Sequence, residues 1–179
     1  MIPIDMSNAV CFDTETSGLD GNAEICEISV LDVVTEEILF SHVLKTSRLM
    51  SPEVIAIHGI TNEMSQAENP ITYWWGFLCG NILSKKIIMG YNVFYDIRML
   101  FQSYSAWLPN ESYYMSSLGA LDVVQLYDKI IKPPKHKHLN EACESLGVIL
   151  PEGKFHGSAF DSLATIRLYK KLIEIGENR

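Results

Sequence analysis

The fold of this chain is decided by the stretch Ala9-Val10-Cys11-Phe12-Asp13-Thr14-Glu15. Its first four residues are apolar, which is typical of a buried strand, and the run delivers an acid at its C-terminal end. In an extended strand, residues i and i+2 point to the same side, so Asp13 and Glu15 project together. Like charges this close repel each other, and a divalent cation, which prefers carboxylate oxygens, relieves the repulsion. Two solvated acids at an exposed strand end are the alternative, and Asp-x-Glu alone does not decide between them.

The segments that follow predict one α/β domain. The β-branched run Ile25–Val34, a turn and the run Ile38–Leu44 complete an antiparallel meander with the first strand, and Lys86–Tyr91 is a further buried strand. Helical spacing of apolar residues predicts the helices Pro70–Leu83, Phe94–Trp107, Leu121–Ile131, His138–Leu146 and Ser158–Ile175, after short helical turns that open at Ser51 and Thr61. Since no linker or repeat interrupts this order, we expect a single domain over residues 1–179.

The bulk properties favour a globular, non-membrane protein. Of its 179 residues, 47% are hydrophobic and 20% charged. No run approaches the ~20 apolar residues of a membrane span, and the N-terminus lacks the pattern of a signal peptide. Four cysteines without a Cys-x-x-Cys pair predict a reduced, cytoplasmic setting.

The charge balance bears on a nucleic-acid partner. The net charge of −8 indicates a small nucleic-acid footprint, or a site at which metal ions supply the positive charge. The densest basic cluster is Lys132, Lys135 and Lys137. Such a cluster is usually a solvated loop, and its alternative here is a set of phosphate contacts.

Two further motifs place acids at helix starts. Asn92-Val93-Phe94-Tyr95-Asp96 follows the strand Lys86–Tyr91, at the strand end where α/β sheets gather their sites. His156 and Asp161 flank the start of the last helix, with a glycine beside the histidine. Taken singly, each has a structural alternative, because acids in a first turn ordinarily cap a helix or interact with its dipole.

The three motifs together predict a two-metal phosphodiesterase. Two Mg²⁺ or Mn²⁺ ions about 3.5–4 Å apart clamp a scissile phosphate, activate a water and stabilise the leaving oxygen. A histidine is the side chain suited to deprotonate that water near neutral pH. If His156 is this base, activity should rise with pH through roughly 6 to 8.

These motifs resemble those of the DEDDh exonucleases, which include proofreading epsilon subunits, ribonuclease T, oligoribonuclease and exonuclease X. Phe12–Leu19 is similar to the family's Asp-x-Glu-Thr-(Thr/Ser)-Gly-Leu, and Tyr91–Asp96 to His-Asn-x-x-Phe-Asp. The third motif is His156–Asp161, and the resemblance extends over about residues 8–174. Tyr91 and Tyr95 depart from it, since a His and a Phe are common there, and we expect these changes to shift substrate preference rather than remove activity.

The resemblance implies an RNase H-like fold, a five-stranded mixed sheet flanked by helices. It also implies two divalent ions, Mg²⁺ or Mn²⁺, and release of 5′-mononucleotides from a 3′ end. By motif match the metal ligands are Asp13, Glu15, Asp96 and Asp161, and the general base is His156. The residues implied to border the substrate are Thr16, Leu19, Ile60, Thr61 and Asn92.

Function is therefore expected to be 3′→5′ exonuclease activity on single-stranded nucleic acid, with DNA favoured over RNA. An RNA-processing or oligoribonuclease-like enzyme is one alternative, because contacts to a 2′-hydroxyl cannot be read from a sequence. A non-catalytic nucleic-acid-binding module is another, and the presence of all five catalytic residue types argues against it. Family members are often dimers, which leaves a homodimer open.

Overall fold

The computed structural model describes residues 5–83, 87–109 and 119–177, with the backbone alone for residues 81–83. Five strands form one sheet: β1 (Ala9–Thr16), β2 (Ile25–Asp32), β3 (Ile38–Val43), β4 (Ile87–Gly90) and β5 (Ala120–Asp122). Their order is β3-β2-β1-β4-β5. The pairs β1–β2 and β2–β3 are antiparallel, and β1–β4 and β4–β5 are parallel. The predicted five-stranded mixed sheet of RNase H-like type is confirmed.

Helices cover both faces of this sheet. They are α1 (Pro52–His58), α2 (Asn62–Gln66), α3 (Ile71–Phe77), α4 (Val93–Trp107), α5 (Val123–Ile131), α6 (Leu139–Ser145) and α7 (Ser158–Glu177). A π-helical segment, Leu78–Leu83, continues from α3, and a short 3-10 turn, Met6–Asn8, precedes β1. No helix in the described ranges is long and apolar enough to cross a membrane.

The side chains of β1 alternate between two buried cores. Val10 and Phe12 pack on the face covered by α3 and α4, whereas Ala9 and Cys11 pack on the face covered by α5, α6 and α7. Because the alternation continues beyond the core, Asp13 and Glu15 project on the α7 side. The intervening Thr14 projects toward α4 and is bonded to it.

Strand β5 lies inside a segment that the sequence predicts to be helical. The predicted helix Leu121–Ile131 begins only at Val123, because Leu121 pairs with Met89 of β4. The Asp122 carboxylate then accepts a hydrogen bond from Val124 N (3.3 Å), which starts α5 after the strand. A three-residue strand is too short to show a period of two, so the apolar pattern of the helix conceals it.

Smaller differences concern the ends of elements. The strand predicted to reach Val34 ends at Asp32, since its carboxylate accepts from Val34 N and Thr35 N (2.8 and 2.9 Å) and turns the chain. The helix predicted over Pro70–Leu83 is α-helical only to Phe77. The predicted strand Lys86–Tyr91 is observed at Ile87–Gly90, and Lys86 lies outside the described residues.

Candidate active site

Asp13 and Glu15 lie at the C-terminal end of β1, on the face toward α7. Burial raises the pKa of the Asp13 carboxyl well above its ordinary value, and repulsion by Asp96 and Asp161 adds to the rise. Burial and the charges of Asp161 and Glu27 raise the pKa of Glu15 from 4.5 to about 8. Holding these carboxylates close together therefore costs the folded protein free energy.

Asp96 joins this group from the first turn of α4. It is only 4% exposed, and its Oδ1 accepts a hydrogen bond from Thr14 Oγ1 at 2.7 Å. Burial raises the pKa of Asp96 to about 7, although the hydrogen bond from Thr14 opposes the rise. Thr14 thus fixes one oxygen of Asp96 against the strand that carries Asp13.

Asp161 and His156 approach from the start of α7. His156 has a left-handed backbone (φ 69°), and its N–H donates to Asp161 Oδ2 at 3.2 Å. One potential ligand atom each from Glu15, His156 and Asp161 lies within 4.8 Å of the other two. Burial raises the pKa of Asp161 to about 6. The predicted catalytic residues of β1 and of the His156–Asp161 motif are thus close in space.

Glu27 is a neighbour of this group that the three sequence motifs do not contain. It pairs in register with Glu15, so both side chains point to the same face of the sheet. Its Oε2 accepts from Ser158 N (2.8 Å) and Ser158 Oγ (2.9 Å), and the buried Ser158 Oγ also bonds to Ser29 Oγ (2.7 Å). Glu27 therefore holds the first residue of α7, three residues before Asp161.

The end of β1 and the β1–β2 loop carry two of the predicted substrate residues, Thr16 and Leu19. Leu19 is 82% exposed, whereas Thr16 is half-buried and donates from Oγ1 to Gly18 O (2.8 Å). The hydroxyl of Tyr95 lies 3.2 Å from Thr16 Oγ1 and 3.4 Å from Gly18 O. The Tyr95 phenol thus has two hydrogen-bond partners, and it holds the loop that presents Leu19.

The other predicted substrate residues are Ile60, Thr61 and Asn92, and their side chains differ in setting. Ile60 is only 4% exposed and packs with Cys26 and Met50. Its side chain is therefore not available to a substrate, and only the backbone of this segment is. The Thr61 side chain accepts from Met64 N (3.2 Å) and caps α2. Asn92 is exposed, has a left-handed backbone (φ 65°), and precedes α4.

The donor set fits a divalent cation. Carboxylate oxygens are the ligands that Mg²⁺ prefers and Mn²⁺ accepts. Within the described part of the chain, Asp161 Oδ1 is buried without a hydrogen-bond partner, which is costly unless another ligand satisfies it. The repulsion that raises these pKa values is also what a bound cation removes.

Comparison with known proteins assigns this site to a family. The exonuclease family model matches residues 10–169, which contain all of the acids and the histidine described above. The chain belongs to the exonuclease family. This exonuclease is of the DEDDh type, as its motifs predict, and the prediction of an enzyme, a 3′→5′ exonuclease, is confirmed. The family depends on divalent metal ions.

Three similar proteins illustrate the relationship. The uncharacterized exonuclease CP81 of Escherichia phage 186 is 29% identical over 178 residues, which is 93% of this exonuclease and 89% of CP81. Exonuclease X, solved in complex with 5′ overhanging duplex DNA, has a TM-score of 0.69 at 21% identity and covers 93% of this chain and 91% of its own. The nuclease domain of 3′hExo, a DEDDh family member bound to rAMP, has a TM-score of 0.71 at 18% identity, with coverage of 94% and 92%. At these identities the two solved structures show the shared fold.

Proposed function

We propose that this exonuclease releases 5′-mononucleotides from the 3′ end of single-stranded nucleic acid, DNA in preference to RNA, by two-metal hydrolysis. The observation that carries the proposal is the convergence of Glu15, His156 and Asp161 within 4.8 Å. Asp13 and Asp96 lie near these acids: beside burial, the charges of Asp96 and Asp161 raise the pKa of Asp13, and the charge of Asp96 adds to the rise at Glu15. Four carboxylates and one imidazole form the group set that phosphodiester hydrolysis with bound metal ions requires.

Asp13, Glu15, Asp96 and Asp161 are the proposed metal ligands. When bound, two Mg²⁺ or Mn²⁺ ions would polarise the scissile phosphate and stabilise developing charge on the oxygens. The chain's own contribution is to hold its acids in place before metal and substrate arrive. Thr14 holds Asp96 at 2.7 Å, and the His156 backbone holds Asp161 at 3.2 Å.

His156 is the proposed general base. Its side chain is exposed beside Glu15 and Asp161, where a water attacking the phosphate can reach a ring nitrogen. The backbone of His156 is left-handed and its N–H donates to Asp161, and among the described residues no hydrogen bond engages its ring. The imidazole would take the proton from the water, and the neighbouring carboxylates would stabilise the imidazolium that results.

The β1–β2 loop is the proposed binding surface for the terminal nucleotide. The exposed Leu19 side chain offers an apolar contact for a base, which is tolerant of sequence because every base has a flat face. Thr16 and Tyr95 fix the loop through their hydroxyls. Thr61, the backbone of Ile60, and Asn92 would complete the groove.

Residues 8–174 are proposed to act as one exonuclease domain, within the single domain expected for residues 1–179. A reducing, cytoplasmic setting suits the four cysteines, which are all free thiols. The homodimer that the family resemblance leaves open stays a prediction.

A parallel degradation assay tests the proposal. Single-stranded DNA, duplex DNA and RNA of equal sequence are incubated with the protein in Mn²⁺ or in EDTA. We expect mononucleotides to appear fastest from single-stranded DNA and to be absent in EDTA. Faster loss of RNA would favour the RNA-processing or oligoribonuclease-like alternative. Intact polymers that nevertheless bind the protein in Mn²⁺ would support the non-catalytic alternative.

A further inference from the structure

We infer that the segment Lys132–His138, here called the basic loop, binds the phosphodiester backbone of the strand being degraded, a few nucleotides upstream of the scissile bond. The inference rests on the proposed function, because it adds a contact to the same substrate. The basic loop lies outside the carboxylate site, the name used here for Asp13, Glu15, Asp96 and Asp161.

The basic loop concentrates positive charge in an acidic chain. The whole sequence has 14 Lys and Arg against 22 Asp and Glu, yet this short loop contains Lys132, Lys135, His136, Lys137 and His138. All of these side chains are exposed except Lys137, which is half-buried. An acidic protein repels a polyanion such as a nucleic acid, and a local cationic surface offsets that repulsion where the strand binds.

The lysines of the basic loop carry charge that the described protein does not neutralise by pairing. Over the described ranges, no ion pair within 4.0 Å involves Lys132, Lys135 or Lys137, whereas Lys170 and Lys171 of α7 each pair with a glutamate.

The acids that face the basic loop are already engaged. Asp128 lies 3.6 Å from the His136 ring. Glu141 accepts from His138 N at 3.1 Å and caps α6; this hydrogen bond, followed by the charges of Lys135 and Lys137, lowers the pKa of Glu141. Since neither acid comes within 4.0 Å of a lysine ammonium group of the basic loop in the described structure, these groups can still contact an external anion.

The basic loop is tied to the sheet edge that carries the carboxylates. The Tyr91 hydroxyl donates to Lys137 O at 2.5 Å, and Tyr91 directly follows β4. Asp96 lies five residues further on, in the first turn of α4, so the Cα atoms of Tyr91 and Asp96 are within roughly 15 Å of each other. A strand whose 3′ end occupies the carboxylate site can therefore pass the basic loop.

The backbone of the basic loop is restricted before any ligand binds. Pro133 and Pro134 fix their own φ angles and limit the residues before them. Lys132 adopts a left-handed conformation that ends α5 (φ 56°). Since less conformational entropy remains to be lost, phosphate contacts made from this loop cost less than those from a free one.

Salt-dependent binding tests this inference. A labelled single-stranded oligodeoxynucleotide is titrated by fluorescence anisotropy in EDTA, so that it stays intact. For single strands log K falls with log salt by about 0.7 per phosphate contact, so Lys135→Ala with Lys137→Ala should flatten the slope by about 1.4. If the two lysines act only through counterion release, the variant binds about 25-fold more weakly than wild type at about 0.1 M salt. The two affinities then become equal at about 1 M salt.

Lys170→Ala with Lys171→Ala removes the same charge from α7 and is the matched control. We expect this control to keep the wild-type slope. The inference is overturned if the Lys135 and Lys137 variant binds with wild-type affinity and slope, if the control loses as much, or if wild-type protein shows no binding at low salt.

A small substrate separates this inference from the proposed function. The nitrophenyl ester of thymidine 5′-monophosphate has no upstream phosphate, so its hydrolysis in Mn²⁺ reports the carboxylate site alone. No hydrolysis by wild type would count against the proposed function. Hydrolysis by wild type, together with unchanged oligonucleotide binding by the loop variant, would overturn only the role of the basic loop.

Discussion

Glu15→Gln should make the metal-free protein more stable at alkaline pH while weakening its stabilisation by Mn²⁺. Glu15 lies among acids, and burial with the charges of Asp161 and Glu27 raises its pKa from 4.5 to about 8. A carboxyl whose folded-state pKa is raised costs nothing when it is protonated in both states, well below pH 4.5. The cost grows as the pH rises and is nearly complete at pH 8. Glutamine has a similar shape without the charge.

The size of the gain follows from that pKa. Each tenfold change in a protonation constant is about 1.4 kcal/mol, so a rise from 4.5 to about 8 corresponds to about 5 kcal/mol. Glu15 is only half-buried, and solvent screening reduces the figure. We therefore expect the free energy of unfolding to increase by about 2 kcal/mol at pH 8 and by much less at pH 5.

Urea denaturation in EDTA at the two pH values measures this gain. Glu68→Gln, an exposed acid away from the site, is the matched control and should change stability by no more than about 0.5 kcal/mol. With Mn²⁺ the advantage of the variant should shrink, since wild type gains about 2.7 kcal/mol at a hundredfold excess over Kd and the variant gains less. Equal stability of Glu15→Gln and wild type at pH 8 in EDTA would refute the reasoning.

Three further changes give distinct results. His156→Ala should lower turnover about 10²- to 10⁴-fold while keeping the Mn²⁺-induced rise in Tm, and near-wild-type turnover, as expected for the control His42→Ala on β3, would exclude His156 as base. Tyr95→Phe removes the hydroxyl beside Thr16 and should lower the free energy of unfolding by about 1 kcal/mol. In steady-state assays KM should rise more than kcat falls, and an unchanged KM would contradict this. Glu27→Ala removes two hydrogen bonds at the start of α7 and should lower the free energy of unfolding in urea by about 2–3 kcal/mol. Glu27→Gln should lose less, because its amide oxygen can still accept a hydrogen bond. Equal stability of wild type and both variants would rule out the anchoring role.

Local patterns in the sequence predict some of this site directly. Asp13 and Glu15 follow an apolar run, and the period of a strand alone places both on one face of β1. Asp96 and Asp161 are different, because each is an ordinary acid in the first turn of a helix. Only the order of the three motifs indicates that they meet.

Other features depend on contacts between distant parts of the chain. Glu27 and Ser158 are 131 residues apart, so their hydrogen bonds cannot be read from either segment. Strand β5 exists because Leu121 pairs with β4, which its own helical pattern does not reveal. The burial of Ile60 likewise follows from its packing against Cys26 and Met50. Pairing and packing of this kind are set by the whole fold.

The most direct measurement of the central claim follows an oligodeoxynucleotide labelled at its 5′ end during incubation with Mn²⁺. Wild-type protein should shorten it one nucleotide at a time from the unlabelled 3′ end, with 5′-mononucleotides as products. Asp13→Asn should leave it intact, and the exposed control Glu68→Gln should shorten it at the wild-type rate. No shortening by wild type, or equal shortening by Asp13→Asn, would contradict the assignment of the carboxylate site as the catalytic centre.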